Sequence, residues 1–364
     1  MHATPNPNAY QAGLLPPLQA LSTANHQAVL FCNDNETGLK GYIALHNTAL
    51  GPGLGGCRMM VYPSEQAALA DVLALSQAMT YKNALAGLNY GGGKAVMWLT
   101  DPSQKTPAMV QALARCIDLL KGSYYTATDI GSTSHDMKLM RDITPYVSAL
   151  APEHGGLGDS ATLTGYGVYR GLQAAVAHQR GDTSLKGLRI AIQGTGKVAC
   201  NLIGYLLEEG CHLTVTDTHQ PTLEAALKRF PTLTAVAPDA IWQVEADILS
   251  PNAIGGTLTA EVITATTATI VVGGANNPLA HASVAQLMKE RGILYAPDFA
   301  VNSGGVIQLS AELAKRSVDD AKAHTAGIFD TALAVFARAE QDDTTTLQAA
   351  IALATERITK AAHP

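Results

Sequence analysis

The sequence has few charged residues and few aromatic residues. Charged side chains make up 15% of the 364 residues, aromatic side chains 5%, and the formal net charge is -6. A chain without an excess of positive charge gives no reason to expect nucleic acid or an anionic membrane as a partner. The sequence has no apolar run long enough to span a bilayer. Its N-terminus also lacks the basic region followed by an apolar core that marks a secretory signal. We therefore expect a cytoplasmic protein.

Paired cysteine motifs are missing as well. The number of cysteines is odd, and none of them shows the Cys-x-x-Cys spacing of many zinc sites. This pattern predicts buried thiols of a reducing compartment, without disulfides, zinc ligands or another metal site. The five residues are Cys32, Cys57, Cys116, Cys200 and Cys211.

The apolar fraction is large, and the pattern of predicted strands and helices differs between regions of the chain. Hydrophobic residues make up 47%, and the length suggests about two domains. Residues 1–150 combine a strand–turn–strand pattern with long helical patterns, which predicts a mixed sheet with helices, although we expect the first dozen residues to be poorly ordered. Residues 151–325 alternate between strand and helix, which predicts a parallel sheet covered on both faces. Residues 326–364 predict two further helices.

Two lysines lie twelve residues apart in a stretch that otherwise has no charge. Lys82 ends an apolar helical pattern that begins after Ser64, and Lys94 follows three glycines and opens an apolar strand. Lysine is rarely buried without a partner, so two lysines in one cleft would suit a bound carboxylate. The alternative is that both amines reach solvent from apolar stems.

A glycine motif lies between a predicted strand and a predicted helix. The motif Gly194-Thr195-Gly196-Lys197-Val198-Ala199 allows a tight turn and the close approach of a pyrophosphate at the helix N-terminus. Asp217 ends the next strand, where an acidic group binds ribose hydroxyls and repels a 2′-phosphate. The residues after it include no arginine, so we predict NAD rather than NADP. The alternative is that Asp217 only caps a turn.

Asp129 ends another predicted strand, which begins at Tyr124. A lone aspartate at this place would cap the turn that follows it. Beside two buried lysines it becomes a candidate proton carrier.

Several stretches together resemble the amino acid dehydrogenases of the glutamate/leucine/phenylalanine/valine family, and most of all its leucine and valine branch. The resemblance covers nearly the whole chain in order. It implies an α/β fold with an N-terminal mixed-sheet substrate domain, a Rossmann-type doubly wound NAD-binding domain and C-terminal helices that pack back toward the first domain. The stretches are Gly51–Arg58, Met79–Lys94, Thr128–Gly131, Gly194–Ala199, Gly273–Asn277 and Ala296–Gly305.

The resemblance also implies roles for individual residues. Lys82 would bind the substrate α-carboxylate, Lys94 would act on the attacking or departing water, and Asp129 would carry protons. Asn276 would bind the substrate amino group or the nicotinamide amide, with the adjacent Asn277 as an alternative. Further residues implied at the substrate or nicotinamide site are Gly55, Gly56 and Thr164. Residues 157–160 depart from the family pattern.

The choice of substrate depends on Leu54. In relatives that act on glutamate this position holds a lysine for the side-chain carboxylate, and a leucine cannot bind that group. A carboxylate buried without a partner is strongly disfavoured. We therefore expect an apolar pocket and an apolar L-amino acid such as leucine, valine or isoleucine. The pocket residues would be Leu54, Ala127, Val306 and Leu309, although all four could equally be ordinary core residues.

Two other functions stay open from the sequence. One is a phenylalanine or tryptophan dehydrogenase on the same scaffold, and the other is a dinucleotide-binding sensor without turnover. The presence of Lys82, Lys94, Asp129 and Asn276 disfavours a sensor, which has no use for the full set. The expected partners are an amino acid or 2-oxo acid and ammonia. Family analogy adds a homo-oligomer.

Overall fold

The computed structural model describes residues 16–362, so the prediction for the first dozen residues lies outside the described range. The chain divides into two compact units. The first unit comprises the residues up to Ser160, Gln308–Val318 and the segment from Ala354 onward, and the second comprises Ala161–Ile307 and Asp319–Leu353. These borders differ from the three segments predicted from the sequence, 1–150, 151–325 and 326–364, because two stretches beyond residue 307 belong to the first unit.

The first unit contains a mixed sheet, as predicted. Strands β1 and β2 form an antiparallel hairpin, β2 pairs antiparallel with β5, and β5 pairs parallel with both β3 and β4. Strand β3 also pairs parallel with β6, which gives the order β1-β2-β5-β3-β6. The strands are β1 Ala28–Asp34, β2 Leu39–Asn47, β3 Gly53–Leu54, β4 Cys57–Val61, β5 Gly91–Leu99 and β6 Tyr124–Tyr125.

Helices cover both faces of this sheet. Helix α2 begins at the predicted cap Ser64, whose side chain accepts the amide of Ala67, and it packs on the face that carries Tyr42 and Val96. Helix α3 begins after Thr106 and packs on the opposite face. The helices before residue 160 are α1 Pro17–Thr23, α2 Glu65–Leu85, α3 Pro107–Leu119 and α4 Ser134–Arg141.

The second unit contains a sheet whose strands are all parallel, in the order β12-β11-β10-β7-β8-β9. This is the Rossmann-type doubly wound order, so the predicted fold class is confirmed. The strands are β7 Arg189–Gln193, β8 His212–Thr216, β9 Thr234–Ala235, β10 Ile248–Pro251, β11 Ile270–Val271 and β12 Leu294–Tyr295. The helices from residue 161 onward, of which the end of α11 and the end of α14 belong to the first unit, are α5 Ala161–Arg180, α6 Lys197–Glu208, α7 Gln220–Arg229, α8 Ala260–Ala265, α9 Ser283–Glu290, α10 Asp298–Val301, α11 Gly304–Leu313, α12 Val318–Ala326, α13 Ile328–Gln341 and α14 Thr346–Ala362.

Three local predictions were wrong in their bounds. Helix α2 continues past Lys82 to Leu85, and β5 begins at Gly91, so the three glycines lie inside the strand and not before it. The strand predicted from Tyr124 to Asp129 has only two residues in the sheet. Beyond them the chain makes only isolated bridges, from Thr126 to Val147 and from Thr128 to Cys57, and not a continuous ladder.

The two C-terminal helical patterns are helices, and they pack differently. Helix α13 packs on α5 within the second unit. The end of α14 belongs to the first unit, where Ala354 and Ile358 pack with Ala84 of α2, and Arg357 donates to Ala84 O at 2.8 Å.

All five cysteines have free thiols. Three of them are buried as predicted, whereas Cys116 and Cys200 are half-buried. Within residues 16–362, none of the helices has both the length and the apolar character needed to cross a membrane.

Candidate functional site

Lys94 lies in the middle of β5, on the face of the sheet that α2 covers. Val96 packs with residues of α2, whereas Ala95 and Met97 pack on the opposite face. Because side chains alternate along a strand, Lys94 shares the face of Val96. The Lys94 side chain is only 7% exposed. The alternative that its amine extends into solvent is therefore wrong.

The glycines before Lys94 allow the backbone of α2 to lie against the strand. A Cβ on Gly92 would come within 1.9 Å of Thr80 Oγ1 and 2.3 Å of Ser76 O. No side chain fits in that space, so glycine is required by a close approach of the protein's own helix. This packing fixes the distance between the strand that carries Lys94 and the helix that carries Lys82.

The two glycines implied at the substrate site, Gly55 and Gly56, connect β3 to β4. A Cβ on Gly55 would lie 2.1 Å from Gly93 O, and one on Gly56 would lie 2.5 Å from Thr128 O. The hydroxyl of Tyr124 donates to Gly55 O at 2.8 Å. The backbone at this turn is therefore held closely from two sides, and its contact with a substrate stays a prediction.

Lys94 and Asp129 form a buried ion pair. The Lys94 amine lies 2.6 Å from Asp129 Oδ2, and the Asp129 side chain is 17% exposed. Burial raises the pKa of the Asp129 carboxyl, but Lys94 and Arg58 outweigh burial and hold this pKa well below its ordinary value. Asp129 is thus a carboxylate at neutral pH. The turn after it is closed by Ser132, whose hydroxyl accepts the Asp129 amide at 2.8 Å.

A second cation lies on the same carboxylate and was not singled out from the sequence. Arg58 Nε lies 3.3 Å from Asp129 Oδ2, and Arg58 Nη1 lies 3.0 Å from Asp71 Oδ2. The hydroxyl of Tyr62 donates to Asp71 Oδ2 at 2.6 Å. The available sequence signal was an aspartate among the apolar residues of α2, because a buried aspartate almost always has a partner.

Lys82 lies in the last turn of α2 and is half-buried. The next residue, Asn83, is completely buried and donates from Nδ2 to Leu54 O at 3.1 Å and to Gly91 O at 2.7 Å. These two bonds tie the end of α2 to the end of β3 and the start of β5. The tie places Lys82 next to the strands that carry Leu54 and Lys94.

The four predicted pocket residues are all apolar positions of the core or its margin. Leu54 and Ala127 are 0% exposed, Val306 is buried and Leu309 is half-buried. Val306 and Leu309 are three residues apart on α11, so they lie on one face of that helix. Contact of these residues with a substrate side chain stays a prediction.

The glycine motif forms the predicted turn between β7 and α6. Gly194 has φ +93°, and a Cβ there would lie 2.9 Å from Ala253 N. Gly196 caps α6 without a side-chain hydrogen bond, and the space around its Cβ position is open. Ala199, in the first turn of α6, is buried. This arrangement fits the pyrophosphate of a dinucleotide.

Asp217 follows β8 beside this turn. Its Oδ2 accepts the amide of Thr195 at 2.8 Å and the Thr195 hydroxyl at 3.1 Å, and its Oδ1 accepts the amide of His219 at 2.8 Å. Asp217 therefore does cap the turn, as the alternative interpretation of this residue predicted. The carboxylate is half-buried, and its position at the glycine turn fits a ribose as well.

Asn276 is exposed and is held by a residue that the sequence analysis missed. Asn302 donates from Nδ2 to Asn276 Oδ1 at 2.9 Å and to Gly274 O at 3.2 Å. Asn277 has a left-handed φ of 49°, and its amide donates to Asp298 Oδ2 at 2.9 Å. The Asn277 backbone thus serves the turn, whereas the side chain of Asn276 is oriented by a neighbouring amide.

Thr164 is half-buried in the first turn of α5. A Cβ on Gly304 would lie 2.9 Å from Thr164 N, so the start of α11 lies against the start of α5. The departing loop 157–160 is anchored within the first unit. Gln308 Nε2 donates to Leu157 O at 3.1 Å and to Gly158 O at 3.0 Å.

Two family models match the chain. The model described as Glu/Leu/Phe/Val dehydrogenase, dimerisation domain, matches residues 26–146. The model described as Glutamate/Leucine/Phenylalanine/Valine dehydrogenase matches residues 155–223 and 219–364.

Individual proteins are similar along most of their length. The chain is 45% identical to the valine dehydrogenase of Streptomyces albus over 339 residues, which are 92% of this chain and 93% of that protein. It is 43% identical to the leucine dehydrogenase of Geobacillus stearothermophilus, over 93% of this chain and 92% of that protein. The crystal structure of L-tryptophan dehydrogenase from Nostoc punctiforme has a TM-score of 0.83 and 35% identity, covering 95% of this chain and 100% of that chain.

The family expected from the sequence motifs is therefore confirmed, as is the enzymatic class. A mixed-sheet unit with a buried lysine–aspartate pair and a Rossmann-type unit with a dinucleotide turn are both present. The chain belongs to the glutamate/leucine/phenylalanine/valine dehydrogenase family and is an amino acid dehydrogenase that uses a nicotinamide dinucleotide.

Proposed function

We propose that the protein converts an apolar, branched-chain L-amino acid to its 2-oxo acid and ammonia, with NAD, and catalyses the reverse reductive amination. The observation that carries this proposal is the buried ion pair of Lys94 and Asp129 at 2.6 Å. A buried amine with a carboxylate partner is suited to move protons, and it lies on the face of the sheet covered by the helix of Lys82.

The first unit would bind the amino acid. Lys82 would pair with the α-carboxylate, and the turn at Gly55 and Gly56 would place that carboxylate against the backbone. Support comes from Asn83, which ties the end of α2 to the strand of Leu54. A carboxylate fixed in this way leaves the substrate Cα near Lys94.

Lys94 and Asp129 would carry the proton transfers. The nicotinamide dinucleotide supplies the acceptor for the hydride that leaves Cα. Lys94 then takes a proton from the water that adds to the iminium carbon of the substrate, and it returns a proton to the departing ammonia. Lys94 and Arg58 hold the pKa of Asp129 low, so this carboxylate would keep its negative charge beside the Lys94 amine.

An apolar substrate side chain follows from Leu54. In the predicted pocket of Leu54, Ala127, Val306 and Leu309, burial of apolar substrate surface would stabilise the complex by about 25 cal/mol per Å². The same pocket would give a second carboxylate no hydrogen-bond or charge partner. The named valine and leucine relatives support a branched chain. A difference of one methylene is worth only about 10- to 200-fold, so several branched-chain substrates are expected.

A second candidate is an aromatic amino acid dehydrogenase. It is favoured by the 35% identity and TM-score of 0.83 to the L-tryptophan dehydrogenase structure. An aromatic substrate needs a wider pocket than leucine does. Comparison of 4-methyl-2-oxopentanoate with indole-3-pyruvate and phenylpyruvate decides between the two candidates.

NAD is the proposed form of the cofactor. Asp217 would accept hydrogen bonds from the ribose hydroxyls, and its negative charge would repel the 2′-phosphate of NADP. The turn from Gly194 to Ala199 would hold the pyrophosphate at the start of α6, and Thr164 and Asn276 would flank the nicotinamide. Asn302 would orient the Asn276 amide.

We also propose that the protein is a homo-oligomer. The support is the description of the family model that matches residues 26–146 as a dimerisation domain. Sedimentation velocity at several protein concentrations tests this, and a monomer at micromolar concentration would contradict it.

The central experiment measures NADH consumption with a set of 2-oxo acids and ammonium. We expect fast turnover of branched-chain 2-oxo acids and none of 2-oxoglutarate. Lys94→Ala should bind NADH but turn over at least ~100-fold more slowly, the low end for a positioned acid–base group. The matched control is Lys138→Ala, which removes a lysine of an exposed ion pair in the same unit and should retain activity. Near-normal turnover of Lys94→Ala would remove Lys94 from the mechanism.

A further inference from the structure

Arg58 lies between two buried carboxylates. Its side chain is 13% exposed, and those of Asp71 and Asp129 are 6% and 17% exposed. The Arg58 guanidinium reaches Asp71 Oδ2 at 3.0 Å and Asp129 Oδ2 at 3.3 Å. Lys94 binds that same Oδ2 of Asp129 at 2.6 Å. Two cations therefore share one carboxylate oxygen.

The sheet places these groups on one face. Strand β4 runs parallel to β5 with Arg58 opposite Val96, so Arg58 and Lys94 are diagonal neighbours on the side covered by α2. Asp71 reaches Arg58 from α2 itself. The linear order of the contacts is Tyr62, Asp71, Arg58, Asp129 and Lys94.

The buried charges in this row balance, with two cations and two anions. In a poorly solvated site one uncompensated charge acts strongly on its neighbours. Arg58 competes with Lys94 for Asp129, so it weakens the hold of the carboxylate on the protonated lysine amine. Without Arg58, Asp129 would pair with Lys94 alone and would hold its protonated amine more strongly. Without the negative charge of Asp71, Arg58 would be less neutralised and would disfavour the protonated amine of Lys94.

Other titratable groups surround the row. Burial raises the pKa of Cys57, Tyr62 and Tyr124, and burial lowers the pKa of His46 to about 4, so these four groups are uncharged at neutral pH. Besides Asp71, the charged residues of α2 are Glu65 and Lys82. Asp136 and Lys105, which form an ion pair at 2.7 Å, act on Cys57 from the other side.

We propose that Arg58 is a positioning residue of the reaction: through Asp129 it sets the pH range in which Lys94 exchanges its proton with the reacting water. This inference rests on the proposed function of Lys94. Arg58 does not touch the reacting atoms, and its effect reaches them through one shared oxygen.

The test is the pH profile of kcat/KM for oxidative deamination, in which Lys94 must lose a proton. Arg58→Met should move the midpoint of the profile to higher pH by about one unit, because Asp129 then holds the protonated amine alone. Asp71→Asn should move the midpoint to lower pH, because Arg58 is then less compensated. The double variant removes one charge of each sign and should return the midpoint toward the wild type.

Arg58→Lys gives a conservative control. Lysine keeps the positive charge but lacks the forked guanidinium that bridges Asp71 and Asp129. The midpoint of the pH profile should therefore return close to that of the wild type, while kcat recovers less. Midpoints that stay at the wild-type pH while kcat falls equally at every pH would reduce Arg58 to structural support. Shifts of Arg58→Met and Asp71→Asn in the same direction would also overturn the proposal.

Two measurements keep the result interpretable. If Arg58→Met does not fold, the other two variants still carry the test: Asp71→Asn should lower the midpoint and Arg58→Lys should leave it near that of the wild type. An unmoved midpoint in Asp71→Asn would overturn the proposal. Lys94→Ala separates this inference from the proposed function. An active Lys94→Ala refutes the assigned role of Lys94, whereas an inactive Lys94→Ala with unmoved midpoints in the other variants refutes only the role of Arg58.

Discussion

The buried His46, beside the half-buried His26, should make the first unit sensitive to acid. His26 and His46 have ring centroids 4.8 Å apart behind α2. His46 is 6% exposed and its Nδ1 lies 2.8 Å from Thr80 Oγ1, while His26 Nε2 lies 2.9 Å from Ser76 Oγ. Burial, and then the neighbouring His26, lower the pKa of His46 from 6.5 to about 4.

The size and sign of the effect follow from this shift. Because the folded-state pKa of His46 is depressed, the unfolded chain binds more protons once the pH falls below 6.5. Stability is therefore fully present above pH 6.5, is lost as the pH falls toward 4, and loses nothing further from this group below that. Lowering the pKa of His46 from 6.5 to about 4 corresponds to about 3 kcal/mol in the free energy of unfolding.

The assay is urea denaturation of the wild type and His46→Asn at pH 7.5 and pH 4.5. Asparagine keeps a hydrogen-bonding group near Thr80 but does not titrate, so the variant should lose about 2–3 kcal/mol less between the two pH values. His135→Asn, which replaces an exposed histidine of the same unit, is the matched control and should behave as the wild type. Equal losses for the wild type and His46→Asn would refute the reasoning.

Three further predictions concern single residues. Asp217→Ala should raise kcat/KM with NADP relative to NAD by roughly tenfold or more, since it removes a ribose acceptor and a repelling charge; an unchanged ratio would place the ribose site elsewhere. Leu54→Lys should lower activity on 4-methyl-2-oxopentanoate strongly and rescue 2-oxoglutarate only weakly, because one new charge does not rebuild the other walls; robust wild-type activity on 2-oxoglutarate would remove Leu54 from the side-chain pocket. Gly92→Ala should destabilise the protein by several kcal/mol and abolish turnover, because its Cβ would lie 1.9 Å from Thr80 Oγ1, and a melting temperature within about 2 °C of the wild type would contradict the packing described here.

Local signals in the sequence were enough for much of the fold. The hairpin of β1 and β2, the start of α2 after Ser64, and the strand–turn–helix at Gly194 were all predicted and are present. Each of them depends on residues within a few positions of one another, through side-chain alternation, a cap or a tight turn. The alternation of strands and helices likewise restricted the second unit to a parallel sheet.

The ends of strands were predicted less well where packing against other segments of the chain decides them. The glycines before Lys94 looked like a loop, but Gly91 begins β5, and Thr80 Oγ1 and Ser76 O of α2 occupy the place that a Cβ on Gly92 would take. The strand from Tyr124 ends early because its next residues bridge to other partners. Neither contact can be predicted from the residues next to it in the sequence, because both join segments that are distant along the chain.

The candidate site shows the same division. The sequence by itself predicted the candidate residues of the site, because Lys82, Lys94 and Asp129 stand in stretches that otherwise lack charge. Only the tertiary structure decided that Asp129 pairs with Lys94 and that Arg58 joins them from 71 positions away. Pairing over that separation depends on the register of β4 against β5 and on how α2 packs over them. Sheet register and helix packing are set by the sum of many weak apolar contacts, so the charge balance around Lys94 becomes visible only when the chain is folded.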